Sequence, residues 1–103
     1  MLFHEYLKKE IFEIVKKLLE EKNLDSNFLK NNNFNVELSH KPEFGDLSSN
    51  VALVFSKFFK TSPQKLAELI LTEFKGNTDL SKIEVVKPGF LNFFLQILFG
   101  KIN

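Results

Sequence analysis

Residues 82–97 read KIEVVKPGFLNFFLQI, two runs rich in β-branched and aromatic residues interrupted once by Pro88 and Gly89. Such runs favour an extended, pleated backbone, and a Pro-Gly break between them signals a tight turn, so the segment is expected to form a hairpin of two strands. Successive side chains on a strand point to opposite faces. Leu91, Phe93, Leu95 and Ile97 therefore share one uniformly apolar face, and Phe90, Asn92, Phe94 and Gln96 share the other. The first face has to lie against helices. The second is unusual, because a half-buried strand ordinarily shows charges where this one shows two aromatic rings and two carboxamides.

The helices that cover the apolar face are written upstream. Phe3, Leu7, Ile11, Ile14 and Leu18, flanked by Leu2, Tyr6, Val15 and Leu19, recur at helical spacing and form one wide stripe on a helix ending near Lys22. On its other side Glu5 with Lys9, and Glu13 with Lys17, stand four apart, each pair adding about 0.3 kcal/mol on an exposed helix. Charges interrupt this opening segment every few residues, leaving no apolar run of signal-peptide or membrane-spanning length, so no membrane partner is expected. The stretch NLDSNFLKNNNFN mixes turn formers with scattered Phe and Leu and reads as an irregular connection with its apolar residues turned inward. Val36 and Leu38 then alternate with Asn35, Glu37 and Ser39, the pattern of a short strand.

Pro42 and Gly45 mark a turn, after which Asp46 is placed to cap a helix whose face is Leu47, Val51, Val54 and Phe58, widened by Ala52, Phe55 and Phe59. So broad an apolar surface implies burial on more than one side. A further helix has Thr61 or Ser62 as N-cap, Pro63 in its first turn, and a stripe of Leu66, Ala67, Ile70 and Phe74 before Gly76 and Asn77 stop it. The order is helix, strand, two helices, two strands, with room for one more short strand in the irregular segment. The expected class is α+β, a small antiparallel sheet with three to four helices packed on one face, formed by residues 1–103 as a single domain.

Composition decides which partners the polar face can serve. With 44% hydrophobic and 26% charged residues the chain can bury a core, and its net charge of +1 is too small for long-range attraction to a polyanion or an anionic membrane. All fourteen basic residues are Lys, so no guanidinium can grip phosphate or guanine in bidentate fashion. There is no Cys, which excludes disulfides, thiolate nucleophiles and Cys-ligated zinc and fits a reducing, cytoplasmic location. Any contact with nucleic acid is therefore local. On the face of Phe90, Asn92, Phe94 and Gln96 a ring can stack on any base, worth about 1–3 kcal/mol, while an amide offers a donor and an acceptor to a base edge. The same pattern also suits a face covered by the irregular segment or by a neighbouring domain.

Two blocks bear on that choice. PEFGDLSSNVAL, with Gly45 and Asp46 followed by Asn50 in an apolar helix, and KPGFLNFFL further along resemble the two recurring blocks of the N-terminal domain of arginyl-tRNA synthetases. The likeness takes in the first amphipathic helix and the SPQKLAELI helix between the blocks, and so covers nearly the whole chain. The resemblance implies an RNA-binding module placed before a catalytic domain, approaching the outer corner of tRNA(Arg) and contacting its D-loop. In that family the aromatic-x-amide pair after Pro-Gly takes part in reading an unpaired D-loop base, and these positions are Phe90 and Asn92 here. Lys87 lies where the family also makes a D-loop contact, and as a Lys it suits phosphate better than a base edge. Phe94 and Gln96 join the candidate site through the shared strand face alone. Gly45, Asp46 and Asn50 are assigned to a turn, a cap and a buried amide, and Pro88 and Gly89 to the hairpin turn.

The parent activity this implies is ATP-dependent ligation of arginine to its tRNA, with ATP and magnesium as requirements of the parent. A synthetase holds ATP with a His-x-Gly-His type signature in a nucleotide-binding fold, and neither this signature nor a Gly-rich phosphate loop occurs in the sequence. The catalytic domain is thus expected to be absent, the chain being an excised domain or a truncated product that does not charge tRNA alone. No catalytic residue and no cofactor is assigned to it. His4 and His40 lack metal-site spacing, and the cluster His40, Glu43 and Asp46 has no nucleophile beside it. The reading from another class is a protein-interaction module docking a partner domain through the Phe-rich last strand.

Overall fold

The computed structural model describes residues 3–96. The expectations for Leu2, for Ile97 and for the segment after it lie outside the described residues. The first amphipathic stripe forms helix α1 (Phe3–Glu21), which buries Leu7, Ile11, Val15, Leu18 and Leu19. Its stripe is centred on Val15 in place of Ile14, which is only partly covered. The irregular connection holds a short helix, α2 (Asn27–Asn31), in place of the further strand for which it had room. It sends Leu29 and Phe34 into the core, while Phe28 stacks on Phe58 with ring centroids 4.2 Å apart. Strand β1 (Val36–Leu38), a 3-10 turn (Pro42–Phe44) and strand β2 (Leu47–Ser49) come next, followed by helices α3 (Val51–Phe59) and α4 (Pro63–Glu73) and the hairpin β3 (Leu80–Val86) and β4 (Phe90–Leu95). The four strands form one antiparallel sheet in the order β1-β2-β4-β3. The α+β class, with helices on one face of an antiparallel sheet, is as expected.

Strand β2 departs from the expected pattern. Residues 47–49 read as the first turn of a helix, but they lie between β1 and β4, with Leu47 opposite both Leu38 and Phe93. Ladder bonds on both sides satisfy their backbone, and the helical spacing of Leu47 and Val51 survives only because both residues enter the same core. Asp46 consequently serves the sheet and not a helix terminus. Its Oδ2 accepts the Leu95 N–H at 2.8 Å, its own N–H donates to the Phe93 carbonyl at 2.9 Å, and its carbonyl accepts the Ser39 N–H at 3.1 Å. Helix α3 starts after Asn50, whose side chain makes no cap bond; Asn50 Oδ1 accepts the Asn35 N–H at 2.8 Å, tying the entry of β1 to the start of the helix. Leu38, at the free edge of the sheet, is 73% exposed.

Helix α4 follows the expected pattern. Ser62 Oγ accepts the Lys65 N–H at 3.1 Å, Pro63 occupies the first turn, and Leu66, Ala67, Ile70 and Phe74 are buried. Lys17 does not serve the Glu13 pair: its ammonium lies 2.8 Å from Glu73 Oε1 on α4, and the hydrogen bond to that carboxylate holds the Lys17 pKa above its ordinary value. Helices α3 and α4 lie over Leu91 and Phe93, both with no exposed surface. Burying one Phe side chain in this way contributes about 2–3 kcal/mol.

The hairpin turn packs against a helix. The Lys87–Pro88 bond is cis, and the Gly89 N–H donates to the Val86 carbonyl at 2.9 Å. A Cβ on Gly89 would stand 2.5 Å from the Pro63 Cβ and 3.0 Å from the Pro63 carbonyl carbon, so the turn sits directly against the first residue of α4. Gly89→Ala is expected to push these two elements apart at a cost of about 1–3 kcal/mol. A thermal melt of the chain reads this as a lower Tm, whereas an unchanged Tm would show that the turn is not held against α4.

Candidate functional site

Register assigns every residue on the sheet to a face. Opposite Asn92 stand Ser48 on β2 and Glu84 on β3, and opposite Ser48 stands Glu37 on β1, so Glu37, Ser48, Asn92 and Glu84 form one row across all four strands. Val86 with Phe90, and Lys82 with Phe94, flank that row on the same face. Leu91 and Phe93 belong to the opposite face, beneath the helices.

The connection from β1 to β2 bends over the polar face, because Gly45 reverses the chain there. Its φ of 87° and ψ of −164° lie in a region open essentially to glycine alone, and its N–H donates to the Pro42 carbonyl at 3.0 Å. A Cβ on Gly45 would come within 2.8 Å of the Phe93 carbonyl oxygen. This close approach brings the 3-10 turn against β4, beside an open cavity of about 380 Å3. His40, Lys41 and Phe44 line it from the connection, Val86 and Phe90 from the hairpin, and Ser48 and Asn92 from the central strands.

Asn92 is 5% exposed, so it sits at the base of the cavity and not in open solvent. Among the described residues its carboxamide has no hydrogen-bond partner. No fully buried side-chain nitrogen or oxygen lacks a partner among the described residues, so the amide is open to the cavity and keeps two donors and an acceptor for water or a ligand. Phe90 beside it is 39% exposed. Lys87 is exposed in the turn that leads into Phe90 and is not among the residues that line the cavity. The other two strand candidates fall elsewhere. Phe94 is half-buried, with the Lys82 ammonium 4.4 Å above its ring centroid and Gly45 against its edge. Gln96 lies past the end of β4, exposed, its backbone N–H donating to the Asp79 carbonyl at 2.9 Å. Neither lines the cavity.

Four further lining residues, Glu37, His40, Lys41 and Phe44, are not marked as partners of Asn92 by any sequence pattern, since their convergence depends on the pairing of β1 with β2. Charge around the cavity is mixed: Lys41 and Glu37 are both among its lining residues, and on the same sheet face Lys82 pairs with Glu84 at 3.2 Å. Such balance favours a neutral, edge-polar ligand over a bare polyanion. Among the described residues no group of three His, Cys, Asp or Glu is placed to hold a metal ion, and no helix is long and apolar enough to cross a membrane.

Comparison with known proteins gives the following. Residues 5–95 match the family model described as the arginyl tRNA synthetase N-terminal domain. Among curated relatives, an arginine–tRNA ligase of Caldanaerobacter subterraneus subsp. tengcongensis is 37% identical over 92 residues, covering 86% of this chain and 16% of the relative. One from Mycoplasma mobile is 40% identical over 84 residues, 80% of this chain and 16% of the relative. One from Thermotoga maritima is 42% identical over 63 residues, 61% of this chain and 12% of the relative. The matched region is thus no more than 16% of the length of each of these relatives.

Proposed function

This chain belongs to the arginyl tRNA synthetase N-terminal domain family, and from that premise we propose that it is the tRNA-binding module of an arginine–tRNA ligase, holding an unpaired D-loop base of tRNA(Arg) in the cavity at Phe90 and Asn92. In the parent protein it would steady the outer corner of the tRNA while a separate catalytic domain joins arginine to the acceptor end, using ATP and magnesium. The observation that carries the reading is the cavity-facing carboxamide of Asn92, without a partner among the described residues, beside the partly exposed Phe90. Stacking supplies affinity for any base, and the amide supplies a preference for an edge with matching donors and acceptors. Lys87 and Lys41 would meet the phosphates on either side of that base, and their single charges position the strand without reading its sequence.

Docking of a partner domain through the last strand has less support. Phe93 is wholly buried and Lys82 lies over Phe94, so of the three Phe on β4 only Phe90 presents an open ring.

Salt dependence separates the two readings. With Lys41 and Lys87 as the phosphate contacts, the logarithm of the association constant for a labelled D-arm hairpin RNA should fall against the logarithm of salt with a slope of about −1.4, two contacts at roughly 0.7 each. Fluorescence anisotropy between low and physiological salt measures this slope. A slope of zero, or no binding at any salt, would count against the RNA reading.

A further inference from the structure

We propose that Phe44 is a second stacking wall, so that the cavity clamps one unpaired RNA base between two aromatic rings, Phe44 and Phe90, with Asn92 against its edge. The inference rests on the reading of this face as an RNA-binding site and adds a residue, and a two-sided geometry, to it.

Three observations carry the clamp. Phe44 is 45% exposed although it is a large apolar residue, so the core does not account for it. Of the five large hydrophobic residues exposed among the described residues, Leu38, Phe44 and Phe90 all line this one cavity, which marks a concentration of open apolar surface at a single place. Several aromatic rings among the described residues close on each other, as Phe28 does on Phe58 and Phe74 on Phe93, whereas Phe44 and Phe90 border the same space of about 380 Å3 without pairing. Two aromatic residues and an amide lining one cavity offer the chemistry of a site for a flat, edge-polar ligand.

The wall is also held in place. The Phe44 N–H donates to the Lys41 carbonyl at 3.0 Å and its carbonyl accepts the Ser39 hydroxyl at 3.3 Å. One residue on, Gly45 packs on the Phe93 carbonyl, and Asp46 bonds both Phe93 and Leu95. Phe44 is therefore tethered through its backbone neighbours to the strand that carries Phe90 and Asn92. Preorganised walls lower the ordering cost of binding.

The test uses D-arm hairpin RNAs, each carrying 2-aminopurine at one unpaired loop position, whose fluorescence falls when the base stacks. With the unaltered chain one position should be quenched on binding. Phe90→Ala should abolish the quench. Phe44→Leu, which keeps bulk and apolarity but loses the ring, should weaken binding about 5- to 50-fold and reduce the quench, and Phe44→Tyr should restore both. If Phe44→Leu binds and quenches like the unaltered chain while Phe90→Ala does not, the clamp is overturned and the one-sided platform stands. If the unaltered chain quenches no position, or Phe90→Ala changes nothing, the RNA reading falls and the clamp with it. Equal loss in Phe44→Leu and Phe44→Tyr would assign Phe44 a packing role and also overturn the proposal.

Discussion

Asn92→Leu should weaken binding of a D-arm hairpin by about ten-fold or more while leaving the Tm of the chain unchanged or slightly higher. The two effects have one origin. Asn92 is nearly buried as a residue and its carboxamide has no partner among the described residues. No fully buried side-chain nitrogen or oxygen there lacks a partner, so in the free chain the amide faces water in the cavity and ties no part of the fold together. An apolar side chain of similar size therefore breaks no hydrogen bond within the protein. In the complex the same substitution leaves the polar edge of the base facing an apolar group, which costs about 1–3 kcal/mol and corresponds to a roughly 5- to 150-fold loss of affinity. Phe90→Ala should cost a comparable amount through lost stacking. A residue with a structural role alone would lose stability and binding together. Anisotropy titrations paired with thermal melts separate the cases, and a Tm that drops along with affinity in Asn92→Leu would contradict a ligand-directed amide.

Gly45→Ala should have the largest effect on the fold. It places a Cβ at a positive φ that L residues rarely adopt, at about 1–3 kcal/mol, and drives that Cβ to 2.8 Å from the Phe93 carbonyl oxygen and 3.2 Å from the Phe94 ring, adding about 1–3 kcal/mol more. The combined loss, roughly 3 kcal/mol, corresponds to a fall in Tm of about 15 °C for a domain of this size. Because the backbone contacts of residues 44–46 hold one wall of the cavity to β4, RNA affinity should fall even at temperatures where the variant is folded. A melt within a few degrees of the unaltered chain would mean that the close approach of Gly45 to β4 does not exist in solution.

What is legible in the sequence, and what is hidden there, divides along the range of the interactions involved. The stripes of α1 and α4 can be read because a helix buries residues at a spacing set by its own geometry; Leu66, Ala67, Ile70 and Phe74 are all buried. Alternation along residues 90–95 is equally local, so the separation of Leu91 and Phe93 from Phe90 and Asn92 is visible in the order of residues alone. Strand β2 is hidden because three residues carry no periodicity and both of its partners are distant in sequence. Reading its residues as the start of a helix also produces the cap assigned to Asp46, a residue that joins β1 to β4. The cavity is hidden for a related reason. Alternation shows that Asn92 leaves the core, but only the folding of the β1–β2 connection over the sheet brings it into the lining of one recess with Phe44. Cross-strand register likewise covers Phe94 with Lys82, which no reading of β4 alone reveals.

The central question is whether a base enters the cavity at Asn92. An NMR titration of the isotopically labelled chain with an unmodified D-arm hairpin follows this directly through the Asn92 side-chain amide. The predicted result is a shift of the Asn92 Nδ2 protons together with the backbone amides of Phe44, Gly45 and Phe90. Shifts confined to α1 or α4, with the Asn92 side chain unmoved at saturation, would contradict it.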